Sequence, residues 1–192
     1  MYIDIYAPAS ITHGALNVSV ATAWPYGTAV TVTVNGGAPG AAPTDLALRM
    51  PAWAAAPSIP VALNGAPAAY AGTPGTYLHI TRAWGAGDTL AFDLPMALAA
   101  HPYTGVTQAP PLVRYSYTYG PVLLASTGAW DAARHVEYLG PGLDGAAPAQ
   151  WAAPVPGQPL HWTVAGLPGA LLQPAWEVDQ GRNFSAVPAL DR

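Results

Sequence analysis

The sequence predicts an all-β protein made of two consecutive antiparallel β-sandwich domains of jelly-roll-like type. Three observations favour this class. Apolar residues recur with a period of two along most of the 192-residue chain, which is typical of half-buried strands. Turn signals rich in Gly, Pro, Asn and Asp separate these runs about every 8–12 residues. The Ala-rich segments that could form helices meet Pro57 and Pro102 after about one turn, and proline breaks a helix interior.

In the first half, each alternating run ends in a recognisable turn. Val30–Val34 is followed by Asn35-Gly36-Gly37, and Thr89–Leu94 follows a Gly-Asp turn. Val61–Leu63 meets Asn64-Gly65, which predicts a two-residue hairpin. The predicted strands of this half cover residues 3–5, 16–20, 30–34, 46–50, 61–63, 77–81 and 89–94.

The second half repeats this organisation with weaker signals. A boundary near Leu94–Leu98 predicts one domain at residues 1–98 and another at residues 99–192. Gly140–Pro159 is rich in Pro, Gly and Ala, and we interpret it as a long loop. The predicted strands are residues 112–119, 122–125, 135–139, 160–164 and 171–178.

Tyrosines line one face of the predicted strand before Gly120-Pro121. Tyr115, Tyr117 and Tyr119 alternate with Ser116 and Thr118, so the three rings share a face. We expect this stripe to form an inter-sheet or inter-domain face rather than a ligand platform, because buried tyrosines contribute large packing areas.

Composition excludes several classes of partner. The net charge is −4, the chain has no Lys, and its six Arg are scattered, so we expect no nucleic-acid partner. No apolar run is long enough to span a membrane, and Met1–Tyr6 predicts a strand rather than a signal peptide. The absence of Cys excludes disulfides and thiolate chemistry and leaves the compartment undecided.

No constellation of catalytic or metal-binding residues is apparent. A typical glycosidase needs two facing carboxylates, and the only glutamates are Glu137 and Glu177, with no pattern that pairs either of them. The five His residues lack metal-ligand spacing. We therefore predict no catalytic residue, no metal and no cofactor.

Three tryptophans are candidates for carbohydrate binding. Trp53 follows a Pro, Trp84 precedes a Gly-Asp turn, and Trp130 lies in a predicted loop. An exposed indole can stack on the flat face of a sugar ring. The alternative for each of them is core packing, because Trp buries a large apolar area.

Several segments, in order along residues 1–126, together resemble one enzyme family. Tyr2–Ser10 resembles "Y-V-N-L-Y-I-P-S", Leu46–Trp53 resembles "L-A-L-R-I-P-x-W", Val61–Gly65 resembles "V-x-V-N-G", Tyr77–Leu90 resembles "Y-L-x-I-x-R-x-W-x-x-G-D-x-V", Asp93–Met96 matches "D-L-P-M", and Tyr119–Ala125 resembles "Y-G-P-L-V-L-A". These patterns are those of glycoside hydrolase family 127, the β-L-arabinofuranosidase-like enzymes.

The resemblance implies a fold more than an activity. In that family an upstream (α/α)6 barrel carries a Cys nucleophile, zinc-binding cysteines and a Glu, and no position of this chain matches them. The resemblance therefore implies the two β-sandwich regions, middle and C-terminal, that follow the barrel.

Three functions remain open at this stage. The first is a non-catalytic portion that packs against a catalytic (α/α)6 barrel, in cis or in trans. The second is a free-standing carbohydrate-binding module that uses exposed aromatic residues. The third is a hydrolase that acts alone. The first predicts an exposed apolar patch, and the second predicts exposed tryptophan rings.

Overall fold

The computed structural model describes residues 1–37, 42–106, 110–140, 143–179 and 181–190. Contacts divide the chain into two compact units, Met1–Met96 and Ala97–Arg192. This division falls two residues before the predicted domain limit at residue 98, because Leu98 already pairs with Tyr119 of the second unit. Helices in the described residues are limited to two 3-10 turns, Pro148–Gln150 and Ala175–Glu177. The predicted all-β class is confirmed.

The first unit is a sandwich of a six-stranded and a three-stranded sheet. The strands are β1 Tyr2–Ile3, β2 Ala9–His13, β3 Leu16–Thr22, β4 Ala29–Gly36, β5 Thr44–Arg49, β6 Ile59–Leu63, β7 Ala66–Gly72, β8 Tyr77–Arg82 and β9 Thr89–Asp93. The large sheet has the order β2-β3-β4-β9-β6-β7, and the small sheet has the order β1-β5-β8. All pairs are antiparallel except β1 with β5, which is parallel.

Period-two alternation builds the core of this sandwich. Val30, Val32 and Val34 of β4 are buried, and the threonines between them are half-buried. Strands β5 and β8 bury Leu46, Leu48 and Ile80 from the small sheet into the same cluster. Because successive side chains of a strand point to opposite faces, each sheet has one face left for other contacts.

The turns of the first unit follow from residue type. Asn64 and Gly65 have φ of 51° and 79°, the left-handed pair that a type I′ turn requires, and Leu63 pairs with Ala66 across it. This confirms the predicted hairpin. The run at Val30–Val34 continues through Asn35 and Gly36, contrary to the predicted stop, because a β-bulge at Asn17/Val18 keeps β4 paired with β3.

The second unit consists of a branched eight-stranded sheet and a two-stranded ribbon. Its strands are β10 Leu98–Pro102, β11 Val113–Tyr119, β12 Val122–Thr127, β13 Trp130–Asp131, β14 Val136–Glu137, β15 Ala152–Pro154, β16 Trp162–Val164, β17 Leu171–Pro174, β18 Phe184–Ser185 and β19 Ala189–Leu190. The main order is β10-β11-β12-β17-β16-β15. Away from the Gly120-Pro121 turn β11 and β12 separate, so that β11 pairs with β19 and β12 pairs with β18.

Several predicted limits in this unit are wrong. The predicted loop Gly140–Pro159 contains a 3-10 helix and β15, although residues 141–142 lie outside the described residues. Strand β15 is the last of its sheet, where Pro154 needs no ladder partner for its nitrogen. His135 has φ of 54°, which interrupts the predicted strand at 135–139.

The tyrosine stripe of β11 faces the interior of the second unit. Tyr117 is 1% exposed and meets Trp151 edge-on at 5.3 Å between ring centroids. Tyr119 lies 4.9 Å from Trp162, and Tyr115 stacks on Tyr117. The stripe is therefore part of the core of the unit that contains it.

Candidate functional site

Trp84 is a core residue of the first unit. Its side chain is 3% exposed, and its Nε1–H donates to the carbonyl of Thr44 at 2.9 Å. The guanidinium of Arg82 lies 5.3 Å from the centroid of its ring, a distance that allows a cation–π contact. Burial leaves Trp84 no ring face on which a sugar could stack.

The other two candidate tryptophans differ in exposure. Trp53 is half-buried and packs against the core of the first unit. Trp130 lies on β13 of the second unit and is 42% exposed. The structure thus leaves Trp130 with the most accessible ring of the three. Carbohydrate binding by these residues stays a prediction.

The turn after Trp84 is held together by one carboxylate. Asp88 accepts hydrogen bonds from the Gly85 N–H at 2.9 Å and from the Asn64 side chain at 2.7 Å. Arg82 lies 3.6 Å from the same side chain. These donors hold the pKa of the Asp88 carboxyl below its usual range. Asp88 therefore joins the β8–β9 turn to the β6–β7 turn in a structural arrangement.

The outer face of the small sheet of the first unit carries a cluster of rings, which we call the aromatic patch: Tyr2, Tyr77 and His79. Tyr2 meets Tyr77 edge-on at 5.3 Å and His79 at 5.9 Å. The side chains of Tyr2 and Tyr77 remain 60% and 40% exposed. Ala47, which pairs with Tyr2 and His79 in the register, is fully buried. The patch is a partly apolar surface on the outer face of this sheet.

Charged groups border the aromatic patch. The Tyr77 hydroxyl donates to Asp4 at 2.7 Å, and this bond raises the pKa of Tyr77. Asp45 lies 2.7 Å from Nδ1 of His79, and this hydrogen bond lowers the pKa of the Asp45 carboxyl. Both side chains of the latter pair are exposed, so it adds little to stability. Within the described ranges no three His, Asp or Glu side chains converge to hold a metal ion.

The second unit contains an open cleft of about 450 Å³. It is lined by Gly128, Trp130, Glu137, Gly169, Arg182 and Asn183. Gly128 and Gly169 approach so closely that a Cβ on Gly128 would lie 2.2 Å from the Gly169 oxygen. The cleft thus combines a glycine-built wall with one aromatic and three polar side chains.

Glu137 is the most unusual group in this cleft. It is 1% exposed, and its Oε2 accepts from the Ala129 N–H at 2.9 Å and from the Ser126 hydroxyl at 3.4 Å. Its Oε1 has no hydrogen-bond partner among the described residues. Burial raises the pKa of the Glu137 carboxyl. Among the described residues, Glu137 is the one carboxylate that lines this cleft.

Comparison with protein families gives a match over residues 1–96 to the family described as "Beta-L-arabinofuranosidase, GH127 middle domain". That match covers half of the chain. The chain belongs to glycoside hydrolase family 127. The resemblance stated from the sequence motifs is thereby confirmed.

Solved structures of larger proteins are similar to this family 127 chain. A structure described as a glycoside hydrolase covers 100% of the chain with a TM-score of 0.69 at 17% identity. A GH127 β-arabinofuranosidase covers 66% with a TM-score of 0.51 at 18% identity. A GH127 β-L-arabinofuranosidase from Geobacillus stearothermophilus T6 also covers 66%, with a TM-score of 0.48 at 20% identity. Comparison with curated proteins gives no match.

This family 127 chain corresponds to a minor part of those proteins. It spans 36%, 22% and 20% of the three chains, in the same order. The part that it matches by family is the middle domain, over residues 1–96. The chain therefore represents a non-catalytic portion of a family 127 protein.

Sequence reasoning missed the two clusters that the structure brings together. Tyr2 and Tyr77 are 75 residues apart in the sequence. They meet because β1 and β8 both pair with β5 in the small sheet. Glu137 appeared only as one of two glutamates, although its place between Val136 and Leu139 was a signal. A carboxylate within such an apolar run is expected to be buried, and buried carboxylates need partners.

Proposed function

We propose that this chain is the non-catalytic portion of a family 127 enzyme that packs against an (α/α)6 catalytic barrel and supports its shape. The observation that carries the proposal is the match of residues 1–96 to the family's middle domain. The larger size of the matched chains supports it as well, since most of their length lies outside the part that this chain covers.

The aromatic patch is the surface that we assign to the barrel. Its Tyr2 lies on β1, and the segment Tyr2–Ser10 resembles the family's strand that follows the barrel. Its two tyrosines are exposed, and its rings are held by edge-on contacts and by the bond from Tyr77 to Asp4. Tyrosine is enriched at protein interfaces because it combines apolar area with a polar end.

Two assays on the purified chain test this function. The first offers the chain an arabinofuranoside with a chromogenic leaving group. We expect no hydrolysis, because the described residues that line the cleft include a single carboxylate, Glu137, and a typical glycosidase needs two. Hydrolysis by the chain alone, free of contaminating enzyme, would refute a non-catalytic role.

The second assay measures binding of the chain to the (α/α)6 barrel of a family 127 enzyme encoded in the same genome. We expect Tyr2→Arg and Tyr77→Arg each to weaken binding about tenfold or more, because a charge would be placed in an apolar contact. Tyr26→Arg is the matched control, because Tyr26 is also an exposed tyrosine of the first unit, at 57%. Absence of barrel binding, or equal binding by all three variants, would refute the assignment of the patch.

A further inference from the structure

The cleft of the second unit contains a buried hydrogen-bonding atom that the described protein leaves unused. Glu137 lines the cleft and is 1% exposed, and its Oε1 is buried without a hydrogen-bond partner among the described residues. Its Oε2 is already used by the Ala129 N–H and by Ser126. Leaving a buried polar atom unpaired costs stability, so a group of this kind calls for an explanation.

An aromatic ring lies directly across the ribbon from this carboxyl. Strands β13 and β14 pair Trp130 with Glu137, and both residues line the cleft. Directly opposed residues of an antiparallel pair lie close together on the same face. A ligand in the cleft would therefore meet the indole and the Glu137 side chain at the same time.

Side chains with hydrogen-bond donors lie at the edge of the same cleft. Arg182 and Asn183 are exposed and line it just before β18. The Arg182 side chain forms no salt bridge in the part of the chain that the structure describes. Arginine brings several N–H donors, and the asparagine amide brings a donor and an acceptor. The volume of about 450 Å³ is within the range of small-molecule sites, about 300–1,000 Å³.

The charges of the cleft favour a neutral ligand rich in hydroxyl groups. An anionic ligand would meet the Glu137 carboxyl, and a cationic ligand would meet Arg182. A hydroxyl group both donates and accepts, so it can pair with the Glu137 carboxyl whether that group is ionised or protonated. Several hydroxyls on a ring with an apolar face would use the polar groups and the indole together.

We propose that this cleft binds a neutral saccharide, with Trp130 stacked on a sugar ring and with Glu137, Arg182 and Asn183 hydrogen-bonded to its hydroxyls. The site belongs to the second unit alone. It requires neither the barrel nor the aromatic patch, so it can hold or fail independently of the function proposed above.

Calorimetric titration of the full chain tests the proposal. The probes are neutral arabinan, galactan and xylan oligosaccharides, with an acidic oligogalacturonide and a cationic chitosan oligosaccharide as charge comparisons. We expect at least one neutral probe to bind with a Kd of about 1 mM or tighter and both charged probes to bind more weakly.

Variants of the full chain identify the site of binding. We expect Trp130→Ala and Arg182→Ala each to weaken binding about tenfold or more. Glu137→Leu should abolish binding, and its folding is checked by circular dichroism. Trp176→Ala is the matched control, because Trp176 is a tryptophan of the same unit, 57% exposed, that does not line the cleft. We expect this variant to bind as the unaltered chain does.

Three results would overturn the proposal. One is the absence of binding by every neutral probe, and another is preferential binding of either charged probe. The third is a loss of affinity in Trp176→Ala equal to that in Trp130→Ala, which would place the contact elsewhere. Should Glu137→Leu fail to fold, the Trp130 and Arg182 variants still decide the question.

Discussion

Replacing Trp84 with alanine distinguishes a core tryptophan from a ligand platform. Trp84 is 3% exposed and donates to the Thr44 carbonyl at 2.9 Å. Truncating a buried tryptophan to alanine costs about 3–5 kcal/mol of unfolding free energy, because a cavity remains. We therefore expect Trp84→Ala to destabilise the first unit by an amount in this range.

A second substitution separates packing from the hydrogen bond. Trp84→Phe keeps an aromatic ring and removes the N–H donor, so it loses the bond to Thr44, about 0.5–1.5 kcal/mol, and part of the ring's packing. Trp130→Ala serves as a control for an exposed ring, with an expected cost below about 1 kcal/mol. The order of stability should be Trp130→Ala, then Trp84→Phe, then Trp84→Ala.

Urea denaturation followed by circular dichroism gives these free energies. Hydrogen exchange of peptides covering β5 and β8 assigns the loss to the first unit, because Trp84 bonds to the start of β5. If Trp84→Ala cost no more than Trp130→Ala, the assignment of Trp84 to the core would be refuted. A selective loss of sugar binding in a stable Trp84→Ala protein would refute it as well.

Three further predictions concern charges and close contacts. Asp88→Ala should lower the free energy of unfolding by about 1–3 kcal/mol, because hydrogen bonds are lost. The folded pKa of Asp88 is lowered, so its contribution to stability is present above the unfolded pKa and is lost on acidification. The free energy of unfolding should therefore fall less steeply with acidification in the variant than in the unaltered chain. Glu137→Gln should raise the melting temperature near neutral pH but not at acidic pH. The folded pKa of Glu137 is raised, so the unaltered chain loses stability as the pH rises through that pKa. Equal shifts of the melting temperature at both pH values would contradict burial of the ionised carboxyl as the reason. Gly128→Ala should lower the melting temperature more than Gly166→Ala does. Both glycines have positive φ, but an added Cβ would lie 2.2 Å from the Gly169 oxygen at Gly128 and would meet no atom within 4 Å at Gly166. Equal decreases in melting temperature would contradict the close approach of Gly128 and Gly169.

Much of the fold could be predicted from local patterns. The valines of β4 alternate with threonines, and the Asn64-Gly65 pair occupies the left-handed conformations of a two-residue turn. The strands that were missed are those without such signals. Strand β7 is mostly exposed alanine, and β15 contains a proline, so their pairing depends on neighbouring strands rather than on their own propensity.

The candidate site was less predictable than the fold. The sequence does not distinguish Trp53, Trp84 and Trp130 from one another. In the structure, Trp84 is a buried core ring and Trp130 is an exposed ring. Exposure depends on which segments cover a side chain, and those segments are distant in sequence. The register of a short ribbon brought Glu137 beside Trp130, and only four residues, 132–135, separate the two strands.

By itself, the sequence determined that this chain is all-β, that it lacks the cysteine chemistry of its family, and that its motifs are those of family 127. These properties are local, because alternation, turn residues and composition act within a few positions of the chain. The tertiary structure alone decided which rings are buried, that three rings meet on β1 and β8, and that Glu137 lines a cleft with one oxygen unpaired. Those properties arise from strand order and register, which join residues far apart in the chain.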